Sequence, residues 1–243
     1  MSGPHDLRAL RQGRSQAAGG PAAGHARLRQ MTTNILLVRH GQTAANVEAL
    51  YSGWSGVDLS DVGHMQARRL SDKLASVPMK AIYSSPLRRT LTTAVTLAEP
   101  HGLEVSTVRD LIEINLGDWE GLYSHEIRQR WPDLWRQSQI DPSDLALPNG
   151  ETFSEVGDRA VRAFEEVVAA SEGSHAVIVT HDAVVRILAA YVLGVPNSIY
   201  RRLEIENASL TWIRIADGRR QLVSLNDTSH LAGLPMVDTS RDR

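Results

Sequence analysis

Short apolar runs along the chain stop abruptly at polar residues, and most are followed by stretches with helical spacing. Ile35-Leu36-Leu37-Val38 follows Asn34 and ends at Arg39-His40-Gly41. An uninterrupted run of this kind predicts a strand buried on both faces. Ser60-Asp61-Val62-Gly63 opens a helical stretch, with Met65, Leu70 and Leu74 near helical spacing. Ala81-Ile82-Tyr83 predicts a second strand, closed by Ser84-Ser85-Pro86, and a helix is expected from Leu87 to Ala98. Val105 to Val108 predicts a short strand. Glu151 to Ala170 predicts a long amphipathic helix, with Phe153, Val156, Ala160, Phe164 and Val167 on one side. His175 to Thr180 predicts another buried strand, ending at His181. Asp182 to Leu193 is then helical, closing at Gly194 before Pro196. Leu203 to Glu206, Leu210 to Ile215 and Gln221 to Leu225 read as strands, the last two joined as a hairpin at Asp217-Gly218.

Residues 109–149 are less regular. Trp119, Trp131 and Trp135 lie there among Pro132, Pro142 and Pro148. Helices and loops walling one end of the sheet are expected. Strands alternating with helices imply a layered α/β fold. Polar residues just after strands fit the rule that such sheets bind ligands beyond their carboxyl ends.

Composition narrows the picture. The chain has 243 residues, 42% of them hydrophobic and 22% charged, which suits one medium-sized domain. A formal net charge of -2 gives no reason to expect nucleic acid or membrane partners. Cysteine is absent, which excludes disulfides and thiolate chemistry and fits a cytoplasmic chain. No apolar run approaches the roughly 18 residues of a membrane span. Residues 1–31 are rich in Gly, Ala, Gln and Arg and are expected to be a disordered extension. Residues 32–235 would form the domain and 236–243 a flexible tail.

The chemistry gathers at strand ends. Val38-Arg39-His40 and Val179-Thr180-His181 both end in histidine, and a third strand leads through Ser84-Ser85 to Arg88-Arg89. Parallel central strands would bring two imidazoles and at least two guanidiniums together. Arginine offers a planar fork matched to phosphate oxygens. Imidazole can attack phosphorus and carry the phosphoryl group. A single Arg-His pair is ordinarily surface decoration; its recurrence at two buried strand ends weighs against that.

These residues resemble a known family. Arg39-His40-Gly41-Gln42-Thr43 with Asn46, then Gly53-Trp54, Ser85-Pro86-Leu87-Arg88-Arg89-Thr90, Glu113 to Gly121, Gly150-Glu151-Thr152 and Val179-Thr180-His181 are similar, in order, to the motifs of the histidine phosphatase superfamily. The resemblance implies a phosphoglycerate mutase-like, three-layer α/β/α sandwich with a mostly parallel central sheet. It implies that His40 becomes phosphohistidine, that Arg39, Asn46, Arg89 and His181 bind the phosphoryl group, and that Glu113 is the acid. No cofactor and no metal are expected. The implied protein is a histidine acid phosphatase-type phosphoric monoester hydrolase acting on a small phosphorylated metabolite.

Gln42, Thr43, Trp54, Arg88, Trp119 and Asp182 are candidates for the substrate pocket, though packing or surface roles compete at each. Arg88 is one position off the family's arginine, and adjacent helical residues do not share a face. Asp182 stands where the family commonly has glycine; it could cap the following helix or touch an active-site group. The alternatives are a mutase and, less favoured, an inactive phosphate-binding or scaffold protein. The compact spacing between Glu113 and His181 resembles the phosphatase branch. Homo-oligomerisation stays open.

Overall fold

The computed structural model describes residues 31–235. The N-terminal extension up to residue 30 and the tail 236–243 lie outside the described residues. Six strands form one sheet: Thr33–Arg39 (β1), Met79–Ser84 (β2), Val105–Thr107 (β3), His175–Thr180 (β4), Leu210–Ala216 (β5) and Arg219–Asp227 (β6). The α-helices are Ala44–Val47 (α1), Asp61–Leu74 (α2), Arg88–Ala98 (α3), Ser124–Arg130 (α4), Pro132–Ile140 (α5), Phe153–Ala170 (α6) and Asp182–Leu193 (α7).

The sheet order is β3-β2-β4-β1-β5-β6. The first four strands pair in parallel, while β5 runs antiparallel to β1 and β6 to β5. Helices cover both faces, giving the three-layer, mostly parallel sandwich. Alternation along the central strands explains their unbroken apolar runs. Ile35 and Leu37 of β1, with Ala176 and Ile178 of β4, pack toward Val156, Phe164 and Leu188 of α6 and α7. Leu36, Val38, Val177 and Val179 point the other way, toward Leu70, Leu74, Ala94 and Leu97 of α2 and α3. Each large aliphatic side chain buried this fully stabilises the fold by about 1.5–3 kcal/mol.

Local signals set several boundaries. Thr152 caps α6, accepting from the Glu155 amide at 3.2 Å while Glu155 reaches back to the Thr152 amide at 2.8 Å. The helix therefore starts at Phe153 rather than Glu151. Asp217 and Gly218, with φ of 51° and 70°, make the tight hairpin between β5 and β6. The expected strand at Leu203 to Glu206 does not form. Both edges of β1 are already taken, by β4 and β5, so this segment has no central partner there. It instead contributes Leu203 and Glu204 to the lining of a cavity and buries Ile205. Residues 109–149 contribute 3₁₀ turns at Arg109–Leu111 and Gly117–Trp119, followed by α4 and α5. No helix among the described residues is long and apolar enough to cross a membrane.

One close approach locks the loop after β1 to α2. A Cβ on Gly41 would meet the Gly63 carbonyl oxygen at 2.6 Å, and one on Gly63 would collide with the backbone of Gln42. In an open helix, Gly→Ala stabilises by about 0.5–1 kcal/mol. Here the sign should reverse: Gly63→Ala is expected to lower stability by about 1–3 kcal/mol, as overpacking does, read from the urea midpoint.

Candidate active site

The sheet register builds the centre. Arg39 lies opposite Thr180 in the β1–β4 ladder, and the His40 amide donates to the Thr180 carbonyl at 3.0 Å. His40 and His181 are thus the first residues beyond two neighbouring parallel strands. Their rings meet edge-on with centroids 5.3 Å apart. β2 joins in the same way, since the Ser85 amide donates to the Val179 carbonyl at 3.0 Å.

Hydrogen bonds orient both imidazoles. His40 Nδ1 lies 2.7 Å from the Gly41 carbonyl oxygen. A carbonyl can only accept, so Nδ1 carries the proton and the Nε2 lone pair of the neutral ring is available. Arg89 Nε donates toward that Nε2 at 3.2 Å. The buried His181 has Nε2 2.7 Å from Ser85 Oγ, and its Nδ1 has no hydrogen-bond partner among the described residues. Burial, then the charge of Arg89, holds the His181 imidazole well below its ordinary pKa.

Two fully buried arginines flank the histidines. Arg89 is clamped by the Gly53 carbonyl at 2.6 Å and the Ser55 carbonyl at 3.0 Å. Together with its contact to His40, these use three of the five N–H groups of a guanidinium and leave two for a ligand. Arg39 donates to the Ile205 carbonyl and lies 3.6 Å from Asp182.

Glu113 shares this cavity with His40, Arg39 and Arg89; its volume is about 540 Å³. Burial, reinforced by the Asp182 charge, raises the Glu113 carboxyl above its ordinary pKa, against the opposing pull of Arg89 and Arg39. Its main chain is held firmly. Trp54 Nε1 and Arg159 both donate to the Glu113 carbonyl, at 2.7 and 2.9 Å. Arg159 also bonds the carbonyls of Asp110 and Ile112 and makes a two-pronged pair with Glu151, 2.9 Å on each prong. Among the described residues, no group of three or more His, Asp or Glu side chains is arranged to hold a metal ion.

The pocket candidates divide. Trp119 and Asp182 line the cavity, as does Asn46, whose Oδ1 accepts from the Thr43 amide and from Asn207 Nδ2. Gln42, Thr43, Trp54 and Arg88 do not line it. Gln42 is buried against Gln66 and Ser60, and Thr43 caps α1. Trp54 instead braces the Glu113 backbone. Arg88 is exposed and pairs with Asp58 at 3.2 Å. Asp182 is not a helix cap: it is the first residue of α7, and its carboxylate turns to Arg39, Arg186 and Tyr200.

Comparison with known proteins agrees with this geometry. The family model for the histidine phosphatase superfamily, branch 1, matches residues 35–228. The chain belongs to that superfamily. It is 33% identical over 197 residues to "Phosphoserine phosphatase 1" of Hydrogenobacter thermophilus, covering 81% of this chain and 93% of the relative. It is 30% identical over 220 residues to the "Metal-independent phosphoserine phosphatase" of Arabidopsis thaliana, covering 86% and 88%. The solved structure of Bacillus stearothermophilus YhfR superposes with a TM-score of 0.79 at 34% identity, covering 82% of this chain and 99% of that one. The chain spans 55% of the length of three longer mycobacterial relatives. Family membership carries the phosphatase-type hydrolase architecture.

Several contributors had no sequence signal strong enough to single them out. Arg159 looks like any polar helix position until the carbonyls of Asp110, Ile112 and Glu113 are seen to converge on it. Asn207 bonds the His40 carbonyl at 3.2 Å from a loop far away in sequence. Ser85 was legible as part of a motif, but its bond to His181 was not.

Two outcomes follow from this arrangement. Arg159→Ala strips the mostly buried Glu151 of its partner and should cost about 3 kcal/mol by urea unfolding; Arg159→Lys should recover only part, lacking the fork. For His181 the linkage is acid-sided. The unfolded histidine takes a proton near pH 6.5, whereas the folded one resists until well below. Its contribution is complete above that value and is lost as pH falls. In His181→Gln, the decline of unfolding free energy between about pH 6 and 5 should be shallower by up to about 1.4 kcal/mol per pH unit.

Proposed function

We propose that this protein is a phosphomonoesterase that hydrolyses a small phosphorylated metabolite through a phosphohistidine at His40. The carrying observation is the anchored His40 ring, with Nδ1 tied to the Gly41 carbonyl and Nε2 3.2 Å from Arg89 Nε. A nucleophilic lone pair beside a guanidinium is what in-line transfer from an anionic ester needs.

In the first step His40 Nε2 attacks phosphorus and the bond to the ester oxygen breaks. Charge spread over the phosphoryl oxygens is met by Arg39, by the two unused donors of Arg89 and by Asn46. His181 would donate its unpartnered Nδ1–H to a phosphoryl oxygen, with Nε2 accepting from Ser85 Oγ–H. An alkoxide leaves poorly, so Glu113 supplies a proton to it. Its raised pKa keeps that proton available. In the second step water attacks, Glu113 takes back a proton, the P–N bond breaks and inorganic phosphate departs. The guanidiniums carry the charge that a metal ion supplies in other phosphatases, so the mechanism is metal-independent.

A cavity of about 540 Å³ suits a metabolite-sized ester. The names of two relatives make phosphoserine the first substrate to try. A panel of phosphorylated amino acids, sugars and glycerates ranked by kcat/KM would identify the leaving group. Brief reaction with labelled substrate should leave acid-labile label on the wild type and none on His40→Ala. Turnover of an alkyl phosphate by His40→Ala would overturn the nucleophile. Glu113→Gln should slow alkyl esters by about 10²–10⁴-fold and aryl esters, whose leaving groups need less protonation, far less.

A further inference from the structure

We propose that Asp182 is a positioning residue for this reaction: it braces Arg39 against Arg186 and Tyr200 and sets the charge field in which Glu113 delivers its proton. The proposal rests on Glu113 being the acid.

The geometry is a closed network on the residue directly after His181. Asp182 Oδ1 lies 3.6 Å from Arg39 Nη1 and 3.1 Å from Arg186 Nη2. Its Oδ2 accepts from the Tyr200 hydroxyl at 3.3 Å. Arg186 closes the ring by donating to the Tyr200 carbonyl at 3.0 Å, with its guanidinium 4.8 Å from the Tyr200 ring centroid. Asp182 and Arg186 are both mostly buried, so bulk water screens these charges weakly. The Ile205 carbonyl and the Asp182 carboxylate both hold the Arg39 guanidinium beside the cavity. A glycine at position 182, common in the family, would leave that brace out.

The same carboxylate acts on Glu113 through space. Around these two acids stand Arg39 and His40 from the β1 end, Arg89 from α3, His181 and Arg186 from the β4–α7 junction, and Tyr200 and Glu206 from the stretch after α7. Arg39 and Arg89 pull Glu113 toward the carboxylate, whereas burial and Asp182 oppose them. Removing the Asp182 charge leaves the two arginines less opposed. Glu113 then loses its proton at lower pH, and the basic limb of an acid-dependent step moves down.

Asp182→Asn and Asp182→Gly separate charge from brace. Each is assayed beside the wild type on an alkyl and an aryl phosphate across pH, with folding checked by thermal unfolding. In both variants the basic limb of kcat for the alkyl ester should move to lower pH by about one unit. KM should rise about tenfold in Asp182→Gly, which loses the carboxylate paired with Arg39. It should rise less in Asp182→Asn, whose amide oxygen still accepts. A general packing defect would lower kcat at every pH and leave the limb in place. If Asp182→Gly does not fold, the near-isosteric Asp182→Asn carries the test alone. An unmoved limb in Asp182→Asn overturns the proposal. Glu113→Gln in the same assay keeps the two ideas apart: impaired alkyl turnover with an unmoved Asp182→Asn limb refutes Asp182 only, while wild-type alkyl turnover by Glu113→Gln refutes the acid and this proposal with it.

Discussion

The β1–β4 parallel register is the constraint on which the site depends. With Arg39 opposite Thr180, two residues that are far apart in sequence become neighbours at one sheet end. Both strands are buried on both faces, so a slip of one residue would exchange the inward and outward faces of each. It would drive Arg39 toward the helices. The apolar runs therefore do more than supply core energy: they index the side chains that meet at the cavity. The Thr180 hydroxyl, donating to the Leu111 carbonyl at 2.7 Å, ties the same strand end to the segment that leads to Glu113.

Around that register the protein balances buried charge. Arg39, Arg89, Arg159 and Arg186 are all largely or wholly buried, and each is met by carbonyls, a carboxylate or both. An uncompensated buried guanidinium is costly, so these partners are a condition of folding as well as of function. Arg159 and Arg186 fasten the walls, one through Glu151 and the Glu113 carbonyl, the other through Asp182 and Tyr200. Arg39 and Arg89 line the cavity beside His40.

Glu113 shows how a loop residue is made precise. Its peptide is fixed from two sides, by Trp54 and by Arg159, while its carboxyl stays in the cavity wall. Trp54 is the instructive case. An aromatic beside a glycine in a motif looks like a pocket lining, yet its indole N–H is spent on backbone. The polar handle of a tryptophan, when buried, seeks an acceptor, and the nearest available one lies under the acid.

Much of this protein was legible in its sequence, for identifiable reasons. Continuous apolar runs ending in Arg-His or Thr-His marked the central strands and their functional ends, because a doubly covered parallel strand has no other way to be written. Asp217-Gly218 marked a hairpin, because few residues tolerate two consecutive left-handed positions. His40, Arg39, Arg89, Glu113 and His181 could be named from ordered motifs, and the fold brings them into one centre. What sequence could not decide was set by competition for partners. Leu203 to Glu206 alternates like a strand, but no central edge was free to pair with it. Asp182 sits where a cap could, but Arg186 one turn along its helix, with Arg39 and Tyr200 from other segments, claimed its carboxylate. Local pattern determines what each residue can do; only the packed structure, where every buried donor and acceptor must find a partner, decides which of those options is taken.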